Sequence, residues 1–139
     1  MMKILKTLFT ILLSGFAMWV IAGLWHNLVL PLISAEHDAH HEGIFIMLLA
    51  YFILAALMTY FYSHFSRKNS KFAGLEIGVI IGILWVFPHG LALAGAHDTS
   101  IIYEIKNTLW HCFEQGIGGG LIALLYKWTF KTKQSAVHN

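Results

Sequence analysis

Three histidines and one glutamate are the residues in this 139-residue chain whose types and setting could do chemistry. His26, His89 and His111 each lie inside a long apolar stretch, and Glu114 follows His111 by one helical turn. An ionisable side chain within an apolar span is costly, so it marks a place to look for function. Counted from the outer ends of their stretches, His26, Tyr51, His89, His111 and Glu114 fall roughly 10–13 Å deep at 1.5 Å per residue. His89 shares a stripe with Gly82, seven residues back, and Gly78, and His26 shares one with Ala22, Trp19 and Gly15. His111, Glu114, Gln115 and Gly118 fall on one face of the last helix at three- and four-residue spacing.

Three chemistries fit such a layer. Imidazole and carboxylate suit Zn, Cu or Fe, and helix bundles regularly host metal ligands in their cores. His26, His89, His111 and Glu114 then form a four-ligand set, supported by Tyr51 and Gln115. A bare ion ranks ahead of haem, because the chain is short and its glycines predict tight packing. Alternatively, the same groups hydrogen-bond one another and fix helix register. In the third reading they relay protons or pass a small solute.

The segment Ser34–Gly43 adds His37, His40 and His41 among Glu36, Asp38 and Glu42, with His97 and Asp98 expected on the same side. His-rich tracts capture divalent metals, so this segment is a candidate outer capture site.

The elements that must position these groups are transmembrane helices. Hydrophobic residues make up 58% and charged residues 12% of the chain, where a soluble domain carries about 25% charged. The stretches Leu8–Ile33, Ile44–Tyr62, Phe72–Ala96 and Ile105–Trp128 approach or exceed the ~20 residues that a spanning helix needs. The predicted fold is all-α: a single domain over 1–139, a polytopic up-down bundle of four transmembrane helices. The run to Ile33 is longer than a signal-peptide core, so the first stretch is read as a span.

Lys3, Lys6, Arg67, Lys68, Lys71, Lys127, Lys131 and Lys133 cluster at the termini and the second link. The positive-inside rule therefore predicts cytoplasmic N and C termini, in a bacterial inner membrane. This basic excess belongs with lipid headgroups and calls for no nucleic acid. Cys112 is the only cysteine, which excludes an internal disulfide and thiol-pair redox chemistry. No phosphate loop, nucleophile elbow or H-E-x-x-H zinc motif is present. The chain reads as no stand-alone enzyme. Gly74, Gly78 and Gly82, with Gly116 to Gly120, predict close helix packing and association into a homo-oligomer or as an accessory subunit of a larger membrane complex. Pro88, within the third stretch, predicts a bend beside His89.

Gly23-Leu24-Trp25-His26, the run from Gly78 to Trp85, and Trp110-His111 through Gly120 resemble motifs in uncharacterised bacterial families of small four-helix membrane proteins. Members often carry tyrosine at the position of His26. The resemblance implies the four-helix fold and no particular activity.

Overall fold

The computed structural model describes residues 2–29, 43–65, 70, 72–97 and 100–131, with side chains through Thr129. It is all-α. Helix α1 spans Met2–Leu24 and continues into a π-helical turn, Trp25–Val29. Helices α2, Ile44–Phe65, α3, Ala73–His97, and α4, Ile101–Lys131, follow. α1, with its π turn, α2 and α3 are each long and apolar enough to cross a membrane. α4 was expected to match them, and its 31 residues suffice in length. Glu104, Lys106, His111, Glu114 and Gln115 keep it outside that apolar class.

Local chemistry explains the helix ends. The Ser70 hydroxyl accepts the Phe72 N–H just ahead of α3, and Glu76 places an acid in its first turn, where the helix dipole favours one. The α1 helix begins six residues before the expected Leu8 and so includes Lys3 and Lys6. Pro88 is exposed and the helix runs on through it.

The helices alternate in direction. Gly74 meets Gly119, Gly78 meets Gln115 and Gly82 meets His111, which sets α3 antiparallel to α4. Lys6 donates to the Thr129 carbonyl and Trp25 stacks on Trp110, so α1 also runs antiparallel to α4. α2 lies between α1 and α3 and parallel to α4, with Tyr62 edge-on to Tyr126 at 5.5 Å. Among the described residues α1 and α3 make no contact and occupy opposite corners. The start of α1, the end of α2, the start of α3 and the end of α4 therefore share one end, which carries Lys3, Lys6 and Lys127 and is the basic end.

The α3–α4 seam is the closest. A Cβ at Gly74, Gly78 or Gly119 would strike the backbone of the facing helix, so glycine is what allows these two backbones to meet. The α1–α2 pair is built likewise at one point, where a Cβ on Gly15 would press on the Phe52 ring and the Tyr51 carbonyl. Side chains join the two hairpins instead, with Met18 lying over Gly118.

The exterior is apolar, unlike that of a water-soluble bundle, and several polar side chains lie inside. Phe45 is 82% exposed, Leu84 67% and Leu109 65%, while Thr10, Ser14, Thr108, Glu114, Gln115 and Thr129 are buried. Such an apolar exterior is what a bilayer requires and water penalises. The hydroxyls of Thr10, Ser14, Thr108 and Thr129 donate to carbonyls four residues back, so they satisfy themselves within their own helices. A dry layer of Met18, Leu54, Ala55, Met58 and Ile122 fills the middle. The apolar helices and this exterior place the protein in a membrane.

Candidate functional site

One polar cluster stands out against the apolar bundle, on the fourth and fifth turns of α4. Glu114 is fully buried, and its Oε2 lies 3.2 Å from His111 Nδ1. The spacing of three residues on one helix brings the two side chains together. Gln115 is 1% exposed and its amide nitrogen reaches the other carboxylate oxygen at 3.5 Å. From α2, Tyr51 lies beside the same carboxylate. The side chain of His111 keeps 17% of its surface exposed, whereas that of Glu114 keeps none.

Helix packing fixes these positions. Gly78 and Gly82 let α3 approach the backbone of Gln115 and His111, which pins this part of α4 and turns the side chain of Glu114 inward. On the other flank Trp25, in the π turn, stacks on Trp110 with centroids 3.9 Å apart and planes 10° from parallel.

The cluster is only partly satisfied. Among the described residues, five buried side-chain polar atoms lack a well-formed hydrogen bond, and four of them fall between positions 110 and 115. They are Trp110 Nε1, His111 Nδ1, Glu114 Oε2 and Gln115 Oε1. The His111–Glu114 pair is within reach but poorly aligned. An unmet buried polar atom costs about 1–3 kcal/mol, and a purely structural network would be expected to meet its own needs. The fifth atom, Thr59 Oγ1, lines a separate cavity of about 470 Å³ at the basic end, shared with Lys3, Thr7, Ser63, His64 and Tyr126. The dry layer of Met18, Leu54, Met58 and Ile122 lies between this cavity and Glu114.

Of the residues singled out in the sequence, the structure brings together Tyr51, His111, Glu114 and Gln115. It leaves His26 and His89 outside the cluster, both exposed. His89 was placed inward by its heptad relation to Gly82. The contact row instead runs by fours, through Gly74, Gly78, Gly82, Val86, Gly90 and Ala94. His89 is next to Gly90 in sequence and so points about 100° away from the buried row. The same geometry separates His26 from Trp25, which faces α4. Among the described residues no three His, Cys, Asp or Glu side chains gather as a metal site would need. His111 and Glu114 alone do not supply the three or four protein ligands of a typical Zn site. His37, His40, His41 and Asp98 lie outside the described residues.

Sequence reading missed Glu104, which falls just ahead of the expected span Ile105–Trp128. It is 6% exposed, and its carboxylate sits where a side chain on Gly90 would be. The register of the α3–α4 seam, in which 78 meets 115 and 82 meets 111, brings Gly90 opposite residue 103 or 104. That register is set by the structure and not by the sequence alone. No protein-family model matches the sequence, and no curated protein or solved structure matches the chain.

Proposed function

We propose that this is a four-span membrane protein that binds and passes protons, with Glu114 as the central carrier and His111 as its exchange partner. One observation carries the reading: the unmet buried polar atoms concentrate around a carboxyl whose neighbours are an imidazole, a phenol and an amide. Of these, the imidazole and the carboxyl can each take up and release a proton. The α4 helix crosses together with α3, because the glycine seam holds the two side by side through most of their length.

In this scheme an imidazolium at His111 gives its Nδ1 proton to Glu114 Oε2, 3.2 Å away, leaving neutral imidazole and carboxylic acid. Re-protonation of His111 from its exposed edge completes the outer half of the path. Tyr51 and Gln115 hold the carboxyl in place as its charge changes. The cavity with Thr59 and His64 provides access from the basic end, and the methionine layer keeps the halves apart at rest.

Proteoliposomes carrying a pH-sensitive dye and a potassium diffusion potential test this. The parent protein should acidify the lumen faster than empty liposomes, and Glu114→Gln, which keeps the shape but carries no proton, should return the rate to that of empty liposomes. A variant rate equal to the parent's, or a parent no faster than bare lipid, would falsify the reading.

A further inference from the structure

We infer that the cleft between α1 and α4 at the basic end is a binding site for one anionic phospholipid. The cleft holds about 850 Å³, within the roughly 300–1,000 Å³ of small-molecule pockets. Its walls are Leu5, Phe9 and Leu124, which expose 69%, 47% and 65% of their surfaces. These surfaces suit an acyl chain. Its rim carries Lys6, Lys127 and Trp128.

The charge arrangement selects the headgroup. Lys6 donates to the Thr129 carbonyl and so is held on the rim between the two helices. Lys127 is half-buried on the α4 side of the same rim. Two ammonium groups above an apolar slot match a phosphate above hydrocarbon, and basic pockets between spanning helices take anionic lipids by this chemistry. Trp128 is 70% exposed beside them, an amphipathic ring of the type that settles at headgroup level. The site needs the helices to lie in a bilayer, and is independent of whether Glu114 carries protons.

The full-length protein in an uncharged detergent, titrated with phosphatidylglycerol or phosphatidylcholine and followed by native mass spectrometry, tests the site. Phosphatidylglycerol should bind about thirtyfold more tightly, the ratio that two lysines near an anionic surface supply. Lys127→Gln should cut that preference about fivefold. Leu124→Trp, at an exposed position, should fill the slot and release the lipid with both lysines intact. Equal binding of the two lipids, an unchanged preference in Lys127→Gln, or full retention in Leu124→Trp overturns the proposal. Displacement of the lipid by millimolar inorganic phosphate also overturns it, since the rim would then be a free-anion site that does not use the slot.

Discussion

At the scale of single residues, Glu114 and His111 make a strong claim on function because their burial is a poor way to stabilise a bundle. Replacing a buried ion pair by apolar side chains of similar size is often neutral or stabilising, by about 1–4 kcal/mol. The double variant His111→Leu with Glu114→Leu is therefore expected to unfold at equal or higher denaturant than the parent while losing proton flux. Chemical denaturation in mild detergent measures this; a loss beyond about 2 kcal/mol would instead assign the pair a structural role. The pair was legible in the sequence because both residues sit on one helix three positions apart, where spacing alone fixes proximity. Tyr51 was legible by depth. His26 and His89 were not placed correctly, since which way a residue faces depends on the row along which two helices touch. A four-residue row drifts around the helix where a heptad stripe nearly does not, and composition does not distinguish the two.

At the scale of elements, the glycine seam makes an unequal prediction for equal substitutions. Gly78→Ala drives a methyl into the Gln115 carbonyl and should cost about 1–3 kcal/mol. Gly120→Ala meets nothing within 4 Å and should stabilise α4 by roughly 0.5–1 kcal/mol, the helix preference of alanine over glycine. Thermal unfolding of both variants by circular dichroism checks the contrast, and equal effects would sink the account of the seam. The sequence showed the helices well, with α2 and α3 starting within one residue of the expected positions. It overcounted glycines available for outside partners. Gly74, Gly78 and Gly119 are absorbed by the α3–α4 contact, Gly118 by Met18, and Gly15 by α2. What remains for an oligomeric or larger assembly is a sparser set, such as Gly23, Gly95 and Gly120. The π turn left no legible signal, because nothing in Trp25–Val29 distinguishes it from a continuation of α1.

At the scale of the whole molecule, both ends of the bundle are distinguishable by charge, and that should set its orientation. In a Cys112→Ser background, a cysteine at Ser70 should react with an impermeant thiol reagent only from the cytoplasmic side, and one at Ser100 only from the other. The reverse pattern would invert the topology without altering the fold. One consequence follows from how the hairpins are joined. The α3–α4 seam is backbone against backbone and has little freedom to slide, whereas Met18, Trp25 and Tyr62 meet α4 through side chains, which can repack. Glu114, His111 and Gln115 ride on the first unit and Tyr51 on the second, so the polar cluster straddles the joint. A slip of the α1–α2 hairpin by one turn, about 5.4 Å, would bring Ala55 or Met47 to the level of Tyr51 and withdraw the phenol from the acid. The acid is thus carried by one pair of helices and its phenol companion by the other.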